Sequence, residues 1–291
     1  MQVMRESDIM NNFTSRNLSD SEFRTLSSFI ETELGIKMPE AKRVMLESRL
    51  QKRVRTLNLS SFAEYLDLVF SDNGDSTEMV HMIDAVTTNK TDFFREPDHF
   101  TYMNEQLLPS RYEDGWGSGS DLKVWSTACS TGEEPYTLAM VLEDFGAHVS
   151  RFDYSILGTD ISSQVLHKAR AAVYTEERAA PIPDGMKKRY LLRSKDRQSK
   201  LVRIKPALRK RARFEWINLL APSIHIRDSF HIIFCRNVII YFERPNQQKL
   251  LRRLFEHLVP GGYLFLGHSE TMAGMNLPLM SVAPTIYRKP Q

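Results

Sequence analysis

ACSTGEEPY, residues 128–136, sits between two runs of different character. Before it, LKVWST at 122–127 has the short apolar composition of a buried strand. After it, the run from Tyr136 to Phe145 has the composition of a helix. Strand, tight turn and helix in this order open an α/β sheet. Such a turn presents backbone N–H groups beside a helix N-terminus, which suits a polar ligand. Here the turn also carries Glu133 and Glu134. Two carboxylates repel a phosphate and suit a ligand with a cationic end, so the turn reads away from nucleotides. Gly132 is its one glycine, and the G-x-G-x-x-G fingerprint of dinucleotide binding is absent.

Working outward, further strands are expected at 155–160, 214–219, 230–238 and 263–268, with helices at 135–146, 162–172 and 244–258. This alternation predicts a parallel sheet covered on both faces. Residues 173–213 are too long for a simple connection and contain Pro181, Pro183 and Pro206. They are expected to hold a helix at 184–192 and a small antiparallel insert around Lys200–Pro206. SVAPTIYRKP at the C-terminus reads as one last strand, paired antiparallel at the sheet edge.

Toward the N-terminus, residues 19–88 read as all helix. Ser19 with Glu22 forms a capping box, and Phe23, Leu26, Phe29, Ile30 and Leu34 make one apolar stripe before Gly35. Pro39 opens a second helix with Leu46, Leu50, Val54 and Leu57 on one face. Ser61 with Glu64 caps a third, the loop SDNGDS ends it, and a fourth starts near Thr77 with Met82, Ile83 and Val86 inward. Residues 1–18 lack the apolar stretch of a signal peptide and read as a flexible arm. A linker at 89–98 leads into the α/β domain, 99–291, which carries the insert at about 173–213.

The 291 residues suffice for two modest domains. No apolar run approaches the roughly 20 residues that span a bilayer, so no membrane insertion is expected and a cytoplasmic location follows. Cys129 and Cys235 supply neither a disulfide framework nor a metal-ligand spacing and read as small buried hydrophobes. The net charge of +3 is too small to argue for nucleic acid. A basic run from Lys187 to Arg213 has Asp196 as its one acid, but little aromatic interleaving, so no nucleic-acid partner is expected.

Ligands of open α/β sheets bind outside the carboxyl ends of the strands. Asp160 lies at one such tip, in Gly158-Thr159-Asp160, either to accept ribose hydroxyls or to cap the next helix. Asn218, in INLL, either meets an adenine edge or forms a turn. Arg236 and Asn237 follow the strand residues HIIF, so polar groups stand at a strand tip, and Tyr241 comes four residues later, either where a substrate arrives or as a core aromatic. TTNKTDFFRE at 87–96 places polar groups to close over a ligand, or serves as a linker packed by Phe93 and Phe94. An adenosine ligand with a cationic end describes S-adenosylmethionine (SAM), with its ammonium and sulfonium.

Taken together, TTNKTDFFRE, ACSTGEEPYTLA, GTDIS, INLL, IFCRNVIIYF and GGYLFLGHSE resemble, in that order, the CheR family of SAM-dependent chemoreceptor methyltransferases. The resemblance covers the chain from about residue 19. It implies a class I (Rossmann-like) methyltransferase sheet with an N-terminal all-helical domain and a small inserted antiparallel β-subdomain. It implies that Asn89, Thr91, Arg95, Glu134, Asp160, Asn218, Leu219, Arg236 and Asn237 line the SAM pocket, with Arg95 and Tyr241 nearest the reacting methyl. The implied reaction esterifies glutamates of methyl-accepting chemoreceptors and leaves S-adenosylhomocysteine. A glutamate carboxylate, with a pKa near 4.3, is already the nucleophile at neutral pH, so neither a general base nor a metal is required.

On the second helix, Lys42, Arg49 and Arg53 fall within about 40° of one another at about 100° per residue, with Lys52 on their flank. Such a strip reads alone as a solvated surface. With the resemblance it becomes a docking face for the acidic helical domain of a receptor, in arrays at the membrane. Family members that bind a receptor-tethered peptide carry a glycine-containing loop in the β-subdomain. The corresponding loop here, residues 194–200, has no glycine. The competing readings are a SAM-dependent methyltransferase of RNA or a small molecule, and a non-catalytic SAM-sensing adaptor.

Overall fold

The computed structural model describes residues 17–71 and 76–291. The expected arm therefore lies outside the described residues over 1–16, as does most of the SDNGDS loop. Residue contacts divide the chain into two units, residues 1–87 and 88–291.

The described part of the first unit is helical. Helix α1 (Asp20–Glu33) has its capping box: Ser19 Oγ accepts from Glu22 N, and Glu22 accepts from Ser19 N at 2.7 Å. Leu18 is buried, in the position of a hydrophobic staple toward Phe23. Gly35, at φ +68°, follows the end of α1 as a left-handed cap. Helix α2 (Arg43–Thr56) follows a single 3-10 turn, Glu40–Lys42, entered from Pro39. Helices α3 (Phe62–Phe70) and α4 (Ser76–Val86) complete the unit. Leu26, Ile30, Leu46, Leu50, Tyr65 and Met82 have no exposed surface and form its centre. Their four-residue spacing within α1 and α2 is what places them on one face.

In the second unit, helices α5 (Asp98–Tyr102) and α6 (Leu108–Glu113) flank one π-turn and precede the sheet. The chain then runs β1 (Leu122–Ser126), α7 (Glu133–Gly146), β2 (Tyr154–Asp160) and α8 (Ser163–Ala171). The insert holds β3 (Val173–Thr175), α9 (Asp184–Tyr190), β4 (Leu191–Arg193) and β5 (Leu201–Ile204). Next come α10 (Pro206–Arg209), β6 (Ala212–Trp216), β7 (Phe230–Cys235), α11 (Arg244–His257), β8 (Leu258–Leu266), β9 (Met280–Ala283) and β10 (Ile286–Arg288).

Among the described residues seven strands form the main sheet, in the order β6-β2-β1-β7-β8-β10-β9. The first five are parallel neighbours, while β10 runs antiparallel to β8 and β9 to β10. The three-stranded insert, β3-β5-β4, is antiparallel. As expected, this is a doubly wound, mostly parallel α/β sheet preceded by an all-helical part and carrying a small antiparallel subdomain. From β1 the chain turns outward to β2 on one side, and β7 lies on the other, so the strand order reverses between β1 and β7. The crevice at their carboxyl ends is the switch point where α/β sheets bind ligands.

Three expectations need correction. The C-terminal segment is a hairpin, because Pro284 and Thr285 (φ +58°) turn the chain between β9 and β10. The strand expected at 214–219 ends at Trp216, because Asn218 Oδ1 accepts from Leu220 N at 3.0 Å and starts a turn. The strand expected at 230–238 ends at Cys235, before Asn237 takes a left-handed conformation.

Candidate active site

The turn after β1 is pinned on both sides. Thr127 N donates to Phe234 O on β7, and Cys129 N donates to Thr159 O on β2, both at 2.8 Å. Between these bonds, Ala128 (φ +48°), Ser130 (φ +50°) and Gly132 (φ +94°) occupy the left-handed region at alternate positions. At Gly132 a Cβ would stand 2.9 Å from Ala169 Cβ, so the close approach of α8 also requires glycine. The left-handed residues persist because neighbouring bonds over-determine them.

The electrostatic reading of this turn requires revision. Glu133 has no exposed surface and accepts from Arg178 Nε at 3.0 Å, Arg178 Nη2 at 2.5 Å and Thr131 Oγ1 at 2.6 Å. Glu134 accepts from Ser126 Oγ at 2.6 Å and Arg236 Nε at 2.7 Å. Each carboxylate is matched to an arginine far along the chain, so the two acids do not stand as uncompensated charge. Asp160, 6% exposed, accepts from Ser130 N at 2.8 Å and Ser162 N at 2.9 Å. It is not the N-cap of α8, since Ser162 Oγ accepts from Val165 N. Asp160 instead ties the β2 tip to the turn.

Arg236, at the end of β7, is 7% exposed, and its Nε and Nη1 donors are used inside the protein. Besides Glu134, it reaches Arg95 O at 2.8 Å, His99 Nδ1 at 3.0 Å and Glu96 Oε2 at 3.4 Å. Its guanidinium lies over Phe100 and Phe234. It supports the site from beneath and fixes segment 89–96 against the sheet. That segment is further held by Ser130 Oγ donating to Asn89 O at 2.8 Å, Arg178 to Thr91 O at 3.1 Å, and Phe94 N to Thr137 Oγ1 at 3.2 Å. Phe93 is buried edge-to-face on Tyr174. Half-buried Arg95 donates to Lys90 O at 3.1 Å.

Two groups escaped sequence reasoning. Glu270, 4% exposed, accepts from Gly267 N (2.7 Å), Asn237 N (2.8 Å), Val238 N (2.9 Å) and Ile239 N (2.9 Å). Burial pushes its carboxyl above the usual range, against those four donors. It shapes the loop leading to the 3-10 turn Ile239–Tyr241, where Tyr241 is half-buried. The signal lay in GHSE: Gly267 leaves no room for a side chain, its Cβ falling 2.6 Å from Asn237 Nδ2.

The second group is Glu96, His99 and His268, whose ligand atoms lie within 4.8 Å of one another. The Arg236 guanidinium already supplies the cation there. Burial, then Arg236, lowers His99 to about 4, so it is neutral at physiological pH. Glu96 is raised by burial but pulled below the usual range by the Asn237 amide, at 3.0 Å, and by Arg236.

In the helical unit, the expected docking strip is largely engaged. Arg49 donates to Val86 O at 2.7 Å and Thr87 O at 3.1 Å. Arg53 Nε and Nη2 grip the buried Glu78 at 2.9 and 2.6 Å, and Tyr65 donates to the same carboxylate. Lys42 donates to Lys37 O at 2.7 Å. This face of α2 is turned toward α4, which the helical wheel alone does not reveal. Lys52 is exposed.

Comparison with known proteins agrees with this architecture. The family model described as "CheR methyltransferase, SAM binding domain" matches residues 89–287, and "CheR methyltransferase, all-alpha domain" matches residues 21–87. A chemotaxis protein methyltransferase of Borreliella burgdorferi is 35% identical over 275 residues, covering 94% of this chain and 95% of that protein. Proteins of the same name from Klebsiella aerogenes and Escherichia coli are 40% and 38% identical over 93% of this chain, and 90% and 91% of their own length.

Proposed function

The chain belongs to the CheR methyltransferase family, and from that premise we propose that it transfers the methyl group of SAM to glutamate carboxylates of chemoreceptors. The observation that carries this reading is the convergence at the β1/β7 switch point. Asp160, the left-handed turn, segment 89–96 and the Arg236–Glu270 loop all meet there. The donor set fits the ligand. Asp160 is a buried acceptor suited to ribose hydroxyls, and Asn218 and Leu219 stand at the neighbouring β6 exit. Asn89, Thr91 and Glu134 edge the turn, while Arg236 and Asn237 hold its supports.

When bound, SAM supplies an electrophilic methyl on a sulfonium. The incoming glutamate is already an anion, so its oxygen forms the new C–O bond while the S–CH₃ bond breaks toward sulfur. S-adenosylhomocysteine leaves and no proton moves. Charge is neutralised in this step, which favours a site poor in water. Arg95 orients the carboxylate, and the Tyr241 hydroxyl limits its approach. Too tight a grip by Arg95 would lower nucleophilicity, so a single flexible guanidinium suits the task better than a buried clamp.

The substrate is the acidic helical domain of a receptor, met in the cytoplasm at receptor arrays. Within the basic strip Lys52 is the residue proposed to touch it, while Arg49 and Arg53 shape α2. The glycine-free loop at 194–200 argues for recognition of the receptor body over a tethered peptide.

Calorimetry with S-adenosylhomocysteine tests the pocket. Asp160→Ala is expected to weaken binding by about tenfold or more, the loss of one or two good hydrogen bonds. Unchanged affinity removes Asp160 from the ribose site. Arg95→Ala is expected to cut turnover about a hundredfold while the unfolding midpoint stays in place. Wild-type turnover would end its assigned role.

A further inference from the structure

The basic run at 187–213 is not used by the proposed reaction, and the structure sorts its charges. Lys187 pairs with Asp184, Arg189 with Asp144, Arg211 with Asp153, and Arg193 lies near Glu176. Arg209 and Lys210 have no acidic partner among the described residues. They line a cleft of about 460 Å³ with Arg170 and Arg213, floored by Tyr136 and Phe214 and walled by Pro206. Arg170 donates to the Phe214 carbonyl, and Arg213 is shared between Glu215 and Asp228. Arg209 Nε is buried and has no acceptor among the described residues.

Arg209 and Lys210 face one concavity without a carboxylate of their own, and a desolvated guanidinium N–H without an acceptor is unfavourable. A solvated basic surface avoids that penalty by spreading its side chains into water. Here Arg170, Lys210 and Arg213 are exposed, while α10 holds half-buried Arg209 beside the aromatic floor with its Nε shut off from water and from any acceptor among the described residues. The cleft has the size of a small-molecule site. Its chemistry is that of a phosphate-recognition site, with planar forks from arginine and a lysine point charge. It lies by the start of β6, whereas the proposed SAM pocket lies beyond that strand's other end. We infer that this cleft binds a phosphate group carried by a small anionic ligand, as a site separate from methyl transfer.

The test is calorimetric titration of the full chain with inorganic pyrophosphate in about 100 mM salt, where exposed charges are mostly screened. Wild-type protein is expected to bind one equivalent saturably. The double variant Arg209→Gln/Lys210→Gln should bind at least about tenfold more weakly. A control with the same charge change at exposed positions, Lys168→Gln/Lys195→Gln, should match wild type. Affinity for S-adenosylhomocysteine in the same samples checks folding and keeps this result separate from the proposed reaction. Absence of saturable binding, or equal weakening in both double variants, overturns the site. A second arm uses phosphatidylglycerol vesicles against phosphatidylcholine vesicles. Sedimentation with the anionic vesicles that requires Arg209 and Lys210, without pyrophosphate binding, also overturns a small-ligand site and assigns the cleft to a lipid surface.

Discussion

Glu270 shows how one side chain organises a loop. Its carboxylate takes four backbone N–H groups from two segments, including that of Asn237 in its left-handed conformation. Removing a buried acceptor leaves its donors desolvated, at about 1–3 kcal/mol each before relaxation. Glu270→Ala is therefore expected to lower the free energy of unfolding by about 3–5 kcal/mol, measured by urea denaturation. A loss below about 1 kcal/mol would mean that water replaces the carboxylate without penalty. Phe94, Glu96, Ala128, Ser130 and Asn237 are all left-handed non-glycine residues, and all belong to the segments that converge on the site. Strand-tip positions such as Asp160 and Arg236 were legible because a polar residue ending an apolar run stands out. Anchors such as Arg178 on Glu133 and Glu270 on the Asn237 backbone were not, since they reach their targets only through the folded sheet.

Among the elements, α2 divides the cations of one basic strip into different roles. Arg53 is tied to a buried carboxylate, whereas Lys52, one position earlier, is exposed. Arg53→Ala leaves Glu78 buried with only the Tyr65 hydroxyl among these donors, and is expected to destabilise the protein by about 2–4 kcal/mol in chemical denaturation. Lys52→Glu is expected to change stability by less than about 0.5 kcal/mol, and to weaken binding to a receptor helical domain while sparing SAM affinity. Receptor binding that survives Lys52→Glu would move the docking face elsewhere. Helix and strand order were legible from hydrophobic periodicity, and the capping box at Ser19 and Glu22 marked the first helix start. The C-terminal hairpin was also marked, by Pro284 within the supposed strand, since proline interrupts a ladder. The end of β6 was hidden, because INLL continues an apolar run and only the Asn218 turn bond breaks it.

At the scale of the whole molecule, burial of His99 links stability to acid. Its pKa falls from 6.5 to about 4 on folding, chiefly through burial and then through Arg236. The depressed value means that the unfolded chain takes up the proton first. The stabilisation is complete above pH 6.5 and is lost as the pH falls toward 4. The shift corresponds to about 3 kcal/mol between these limits. Denaturation curves of wild type and His99→Gln should therefore draw together by about that amount as pH falls through this window. A constant gap would mean that His99 titrates alike in both states.

The central claim concerns which atom receives the methyl group. Tritium transfer from methyl-labelled SAM to a receptor helical domain, followed by mild alkali, addresses it directly. A glutamate ester predicts label on the receptor that base releases as volatile methanol, with none on RNA. Label that survives alkali, or a receptor that takes up none while the protein binds SAM, would contradict glutamate O-methylation.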